Sequence, residues 1–526
     1  WEGTVSDVAA CCAKCTALAN CRVWEFEPAA GSSSAAGRNC WVKDNANKNE
    51  TGHRISGVLP GRHPPTPTPP PSATQVTIHV NGSVPVRLLD PMFLSFNIDA
   101  NLFPALNFSR PQLIALASEL KPAMIRLGGG AADLQAYFHK LPQSAGTKIS
   151  DYNTMSVDYW RSILDFANSS RLQLLFDLNA CTRNASLIKD GKAGPWQTEN
   201  AEELLDWLVK QRTADPTLAS VAAWQLGNEP GIWSHFGHVQ GSITGETLAG
   251  DFRQLRALLN DRPTLGQKIY GPDVCCWTDT EMVSFLERVG DGLDALVGHM
   301  YGGLSTNEDY LAPDKTTIPK ALSKWQGWLD QARRKMPVIL GETAGHNGNG
   351  RHGFTDSFIS GFYWLELLGT TAQRANVAHV FRQELVGHSY ALVGAVENYT
   401  EGTALTPTPD YFSSVLWKRL VGTQVLSTTI HAPSDAQAGV NERLQAWAFC
   451  GKQSGTAVIV WTNAMQAAAN ATVDAGAYER AAYIMTAANN DLNSMVAELN
   501  GMALTLTPSG ALPALKPVFV ARQGPI

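Results

Sequence analysis

The chain has 526 residues, with 41 Lys and Arg against 47 Asp and Glu, a formal net charge of −6. That length supports two or three domains and a sizeable core, and the densest basic run is only Arg333-Arg334-Lys335. A nucleic-acid partner is therefore not expected, nor is a membrane span, because no apolar run approaches the roughly 18–20 residues a bilayer requires.

The N-terminal region is dominated by cysteine. Five of the nine cysteines, Cys11, Cys12, Cys15, Cys21 and Cys40, fall in the first 40 residues. Dense cysteines in a short module read as disulfide staples for a core too small to hold alone. A zinc site is the rival, but it needs reduced thiolates, usually in two spaced pairs. The count is odd, so at least one thiol is free or pairs outside this chain. The stretch CCAKCTALANCRVWEFEP followed by NCWVKD resembles a PAN/apple module, which we place at residues 1–62. Modules of that kind bind proteins or glycans. Trp1 at the start is expected where a leader has been removed. Seven N-x-S/T sequons, at Asn49, Asn81, Asn107, Asn168, Asn184, Asn398 and Asn470, point with the cysteines to a secreted glycoprotein. Its expected location is a cell wall, an extracellular matrix or a lysosome-like compartment.

Residues 63–74, centred on PPTPTPPPS, read as a polyproline II linker. After it, strand-like segments at 92–98, 123–128, 173–179, 221–228, 268–274, 295–301, 337–342 and 376–383 alternate with helical patterns such as 111–120, 156–168, 246–260 and 319–335. Eight such alternations over about 300 residues fit a (β/α)8 TIM barrel, placed at residues 91–410. From 411 to 526 short alternating runs such as RLQAWAF and TAVIVWT, spaced by Gly, Pro and Asn, predict a C-terminal β-sandwich. Residues 75–90 share that look and are expected to join the same sheet.

Two carboxylates stand out against this frame. Glu229 ends the fourth predicted strand in WQLGNEP, and Glu342 ends the seventh in VILGETAG. Chemistry in such barrels sits at the C-terminal strand ends, and strands four and seven face each other across the mouth. Glycoside hydrolysis needs a carboxylic acid at the leaving oxygen and a second carboxylate at the anomeric carbon. A lone strand-end Glu is ordinarily an ion-pair partner, whereas two at opposed ends suit a retaining pair at a spacing of roughly 5–5.5 Å. Glu229 is expected to be the acid/base and Glu342 the nucleophile.

These segments resemble glycoside hydrolase family 79, the heparanase and β-glucuronidase family. FLSFNIDANL, RLGGGAAD, YGPDV, FRQELVGHSY and PDYFSSVLWKRLVGTQVL extend the likeness in order over roughly residues 75–430. The resemblance implies a retaining hydrolase that cleaves β-linked glucuronic acid, or its 4-O-methyl form, from extracellular polysaccharide or proteoglycan. It implies no cofactor. Asn228 matches the contact to the sugar 2-hydroxyl, and Tyr301 the residue that orients Glu342. Asp99 and Asn101 match contacts in the minus-one subsite. Tyr390 and the backbone of Gly348, Asn349 and Gly350 match the group that holds the uronate carboxylate, with Gln383 a further contact.

The departures bear on substrate. GIWSHFGH after Glu229-Pro230, CCWTD after YGPDV and GGLSTN after Tyr301 carry no Lys or Arg, so a sulfated polymer is not expected. The loop from Leu141 to Ser156 is short, and activation by excision is not expected. An endo-acting, heparanase- or hyaluronidase-like enzyme is the alternative within the class. A cell-wall or matrix glycoprotein that only binds, through its apple-like module, is the alternative outside it.

Weaker signals remain. GNGRHG at 348–353 fits GxGxxG, but no dinucleotide-binding unit surrounds it. His346, His352, His379 and His388 lack metal-ligand spacing, so no metal is expected. Arg126 could pair with Glu342 or a neighbour, and His299 could line the site. Cys275-Cys276 is either a vicinal disulfide or core.

Overall fold

The computed structural model describes residues 73–520 apart from 84, 142–152, 184, 375, 435, 466–467 and 475–478, and before them the strand segments 2–3, 23–28, 37–43 and 55–58. The cysteines Cys11, Cys12, Cys15 and Cys21, most of the proline-rich linker, the Asn49 and Asn184 sequons and the heart of the 141–156 loop lie outside the described residues.

The chain divides into two units, Trp1–Ala73 and Thr74–Ile526. In the first, the described segments form one antiparallel sheet in the order 2–3, 37–43, 23–28, 55–58.

The second unit is built on a closed barrel of eight parallel strands. They are β1 (Leu94–Asp99), β2 (Met124–Gly128), β3 (Gln173–Leu178), β4 (Val221–Leu226), β5 (Lys268–Val274), β6 (Ala295–His299), β7 (Val338–Thr343) and β8 (Val377–Arg382). A helix follows each strand: α1 (Pro111–Ser118), α2 (Val157–Ser170), α3 (Glu199–Ala214), α4 (Gly245–Asn260), α5 (Asp279–Arg288), α6 (Thr317–Gln331), α7 (Ser360–Ala372) and α8 (Pro409–Leu420). All eight strands fall where the sequence places them. Local chemistry sets the helix starts: the hydroxyls of Ser156, Thr244 and Thr278 accept the N–H of Tyr159, Thr247 and Glu281, capping α2, α4 and α5.

The strands read as nearly unbroken apolar runs because helices cover the barrel outside and side chains fill its inside. Met124, Leu175, Ala223, Ala295, Val297, Ile339 and Phe381 form the inner plug. A two-residue step along a strand keeps the same face, and on β2, β3, β4 and β6 it changes that face's chemistry. Met124 gives way to Arg126, Leu175 to Asp177, Ala223 to Gln225 and Val297 to His299, all buried. An apolar floor therefore carries a polar layer at the C-terminal mouth.

The remainder of this unit is β-rich. Thr74–Asn81 lies between Val421–His431, antiparallel, and Ala469–Asp474, parallel, within a six-stranded sheet. Leu444–Gly451 and Ala457–Asn463 continue that sheet, and Arg87–Leu88 pairs with Val421–His431. In two small ladders Arg480–Ala482 pairs with Val518–Val520, and Ala497–Leu499 lies between Met485–Ala487 and Met502–Ala503. The β-region begins later than residue 411. Residues 411–420 belong to α8, which opens on Pro409 in its first turn and buries Tyr411, Phe412, Val415, Leu416 and Trp417 at helical spacing. No helix among the described residues is long and apolar enough to cross a membrane. The sequon residues Asn81, Asn107, Asn168 and Asn398 are exposed, and Asn470 is half-buried.

Candidate active site

Arg126 organises the mouth. Its guanidinium, 1% exposed, donates from Nε to Gln225 Oε1 at 2.7 Å, from Nη2 to Asn228 Oδ1 at 2.8 Å and from Nη1 to Glu342 Oε2 at 3.1 Å. Asp177 and Asp273 each place a carboxylate oxygen 3.6 Å from Nη2. A buried cation is tolerable only among such partners. Burial alone would weaken its hold on its proton, but Asp273, Glu342 and Asp177 outweigh burial and push its pKa up.

Glu342, on β7, is 8% exposed. The Tyr301 hydroxyl donates to its Oε1, and Arg126 holds its Oε2. Burial pushes this carboxyl up, but the His299 and Arg126 charges and the Tyr301 hydrogen bond win and hold it below its ordinary value. Glu342 is thus kept ionised.

Glu229 follows β4 in a left-handed conformation, φ 56°, ψ 62°. Its N–H donates to the Asp273 carbonyl at 3.0 Å, and its Oε1 lies 2.8 Å from His299 Nδ1. The other ring nitrogen, Nε2, lies 3.0 Å from Asp273 Oδ1. Burial pulls the His299 pKa down, but Glu342 and the bonds to Asp273 and Glu229 push it up to about 10. One carboxylate oxygen of Glu229 lies within 4.8 Å of one of Glu342.

Asn228 is fixed at both ends. Its N–H donates to Asp133 Oδ2 at 3.1 Å, and its carbonyl accepts Trp233 Nε1 at 2.6 Å. Arg126 can only donate, so the amide oxygen must face it and the amide NH2 must point elsewhere.

A second network lies alongside. Gln383 Nε2 reaches Asp99 Oδ2 at 3.2 Å and the Tyr390 hydroxyl at 3.3 Å. Glu384, fully buried, accepts the Asp99 N–H at 3.1 Å and His388 Nδ1 at 2.7 Å. His388 Nε2 lies 3.3 Å from Asn101 Nδ2. Burial, then the Glu384 and Glu342 charges, push Asp99 up to about 7. In the loop after β7, Gly348, Asn349 and Gly350 all have positive φ, at 59°, 69° and 80°. Gly350 packs on the Tyr390 backbone, where a Cβ would stand 2.6 Å from its nitrogen. Gly348 and Asn349 lie further out and are exposed.

The structure thus joins Glu229, Glu342, Asn228 and Tyr301 in one network and Asp99, Asn101, Gln383 and Tyr390 in another. Of the two residues left open in the sequence, His299 links the two Glu residues and Arg126 ties Glu342 to Asn228. Asp273, Gln225, Asp177 and Glu384 were not expected. Their signal was present: Asp177 in QLLFDL and Asp273 in KIYGPDV are acidic residues inside apolar strands, a cost sustained only by a partner.

Two groups among the described residues bring three ligand-type side chains within 4.8 Å: Glu229, His299 and Glu342, and Asp133, Cys181 and His238. Arg126 and Tyr301 already satisfy Glu342. Asp133 accepts backbone N–H groups from Asn228 at 3.1 Å and Ala180 at 3.4 Å. Glu342 and Asp133 are thus satisfied by protein donors, whereas the buried His238 Nδ1 has no hydrogen-bond partner.

Comparison with known proteins agrees with this geometry. The chain is 30% identical to heparanase of Bos taurus over 407 residues, which cover 66% of this chain and 70% of that one. It is 28% identical to baicalin-beta-D-glucuronidase of Scutellaria baicalensis, covering 76% and 77%. Among solved structures it superposes on AbfB, a family 51 α-L-arabinofuranosidase of Bifidobacterium longum, with TM-score 0.60 at 14% identity, covering 86% of this chain and 97% of that one. That likeness speaks for the barrel fold alone. Residues 99–369 match the profile of glycosyl hydrolase family 79, N-terminal domain. With both Glu residues inside that match, the chain belongs to glycoside hydrolase family 79.

Proposed function

We propose that this hydrolase is a retaining β-glucuronidase acting on extracellular polysaccharide or proteoglycan. The observation that carries the reading is the Glu229–Glu342 pair, with oxygens within 4.8 Å and Glu342 held ionised by Arg126, His299 and Tyr301. Inverting enzymes leave room for a water, with carboxyls roughly 6.5–9.5 Å apart. In the first step Glu342 attacks the anomeric carbon as Glu229 gives its proton to the departing oxygen, so the aglycone leaves as an alcohol. In the second, Glu229 takes a proton from water, which displaces Glu342 and releases glucuronic acid with retained configuration.

The Asn228 NH2, turned from Arg126, is the donor for the 2-hydroxyl. Asp99 and Asn101 contact the ring hydroxyls. The Tyr390 hydroxyl, Gln383 and the N–H groups of Gly348, Asn349 and Gly350 hold the uronate, a recognition that needs no Lys or Arg. Sulfate groups find no Lys or Arg in 231–238, 275–279 or 302–307, so the favoured polymer is unsulfated. The exposed sequons support secretion, and the N-terminal module is assigned to binding a protein or glycan.

Turnover of p-nitrophenyl β-glucuronide beside the matching β-glucoside, β-galactoside and β-xyloside tests the reading. Selective release from the glucuronide is expected. Release from none of them, with no cleavage of longer glucuronate polymers, would favour the binding-only glycoprotein.

A further inference from the structure

Cys275 and Cys276 form a disulfide between neighbouring residues directly after β5. Cys276 is exposed and Cys275 half-buried, at the C-terminal mouth of the barrel. The loop carrying Glu229 is held at two points, one on the end of β5 and one on the loop that carries the disulfide. The Glu229 N–H donates to the Asp273 carbonyl at 3.0 Å. Two residues further on, Gly231 lies flat on the backbone after the disulfide, where a Cβ would stand 2.8 Å from the Cys276 carbonyl oxygen and 2.9 Å from the Trp277 nitrogen. Trp277 is itself anchored, 9% exposed, with its ring 6.5 Å from Phe285 of α5.

Glu229 needs such support. A non-glycine residue at φ 56° sits in a sparsely populated region and stays there only where its surroundings over-determine it. Past Val274 the chain has left the barrel ladder, and nothing in the strand order fixes its course. A disulfide across a single peptide bond closes a small ring and removes most of that freedom. Glu342 does not draw on this loop: its partners Arg126, His299 and Tyr301 come from β2 and the end of β6.

We propose that the Cys275–Cys276 disulfide is a positioning element for the acid/base Glu229, and that opening it impairs proton delivery to the leaving group while sparing the nucleophile. This rests on the acid/base reading of Glu229. Opening it requires a dithiol, which supplies two electrons and two protons. The S–S bond breaks, two cysteine thiols form, and the reagent leaves as its cyclic disulfide.

The test reads kcat/KM, which reports the glycosylation step, for two substrates of the full-length enzyme before and after treatment with dithiothreitol. 2,4-Dinitrophenyl β-glucuronide has a leaving group that needs little protonation, whereas phenyl β-glucuronide needs it. Reduction is expected to lower the phenyl substrate's value about tenfold, part of the 10²–10⁴ that general acid–base catalysis contributes, and the dinitrophenyl value less than about twofold. Reoxidation should restore both. The Cys275→Ser/Cys276→Ser variant should resemble the reduced enzyme and show no leaving-group-dependent response to the reagent, which separates the effect from cysteines elsewhere. Equal losses on the two substrates, no loss on either, or a leaving-group-dependent response that persists in the double variant would overturn the proposal. Should the variant not fold, the reversible reduction of the wild-type enzyme decides alone. Oxidised Glu229→Gln distinguishes the two failures: if it spares neither substrate selectively, the acid/base reading falls. If it spares the dinitrophenyl substrate and reduction does not, only the disulfide's role falls.

Discussion

His299 bridges to Glu229 at 2.8 Å through Nδ1 while its Nε2 lies 3.0 Å from Asp273. A neutral imidazole has a single N–H, so carboxylates on both nitrogens call for the doubly protonated ring or for a proton on one of the acids. Burial opposes the charged ring, but Glu342, with help from Asp273 and Glu229, outweighs it and pushes the pKa of that cation up to about 10. The same cation is the leading influence holding Glu342 down. His299→Gln is therefore expected to move the acid limb of the kcat/KM–pH profile to higher pH, with a loss on the order of tenfold or more at the optimum. A full pH–rate profile checks this. An unmoved acid limb would mean that Arg126 and Tyr301 suffice to keep Glu342 ionised.

Arg126 is the counter-ion for a mouth crowded with carboxylates. Removing one partner of a buried network leaves the others uncompensated, at about 3–5 kcal/mol. Arg126→Ala is expected to lose stability of that order by urea unfolding, and to lose activity even where it stays folded. Arg126→Lys should recover little, since one ammonium cannot reproduce the three directed bonds to Gln225, Asn228 and Glu342. Full recovery by lysine would mean that charge alone matters there.

The strand order and both catalytic candidates were legible because parallel strands buried on two faces leave apolar runs, and because a Glu at the end of such a run is conspicuous. The polar layer was less legible. Gln225 reads as an ordinary strand residue, and the conspicuous Asp177 points to no particular partner, until Ala223 and Leu175 are seen on the same inward face, and inward phase is a property of the closed barrel rather than of any one segment. Glu384 and His388 were hidden for a similar reason: they meet Asp99 and Asn101 across more than 280 residues of chain. Helix α8 was read as part of the β-region because its aromatic residues suit either state. Its contacts with the barrel, including buried Asp410 against Arg382 at 3.0 Å, decide the matter.

The buried acids fix the sign of the stability–pH curve. Asp99 and Asp133 are pushed up to about 7 and Asp410 to about 6, in each case chiefly by burial. Their protons bind more tightly in the folded than in the unfolded chain, so their contribution is complete below the ordinary value of 3.8 and is lost as pH rises through 6–7. Buried His238 and His379, pushed down, act in the opposite sense below pH 6.5, but fewer groups act that way. Above pH 7 the loss from His299, pushed up to about 10, is offset by Lys418, pushed down by burial to about 7. Melting temperature is expected to fall from pH 5 to pH 7 and then to level off towards pH 9. A curve rising from 5 to 7 would show that the aspartates are better solvated than their burial implies.

On the proposed reading, Tyr390 is where recognition of the uronate can be separated from catalysis in general. Its hydroxyl accepts from Gln383, which also holds Asp99, and Gly350 packs on its backbone nitrogen. Tyr390→Phe removes one donor to the sugar carboxylate and leaves Glu229 and Glu342 untouched, so β-glucuronide turnover should fall about tenfold while any residual β-glucoside turnover is unchanged. Gly350→Ala acts on the same subsite through the backbone. Its Cβ would meet the Tyr390 nitrogen at 2.6 Å and Thr355 Oγ1 at 2.7 Å, and its φ of 80° is strained for alanine. The 348–350 turn must then withdraw, raising KM for the glucuronide more than it lowers kcat. If both variants instead lower glucuronide and glucoside turnover alike, the uronate carboxylate is held elsewhere, and the phenol serves only to fix Gln383 against Asp99.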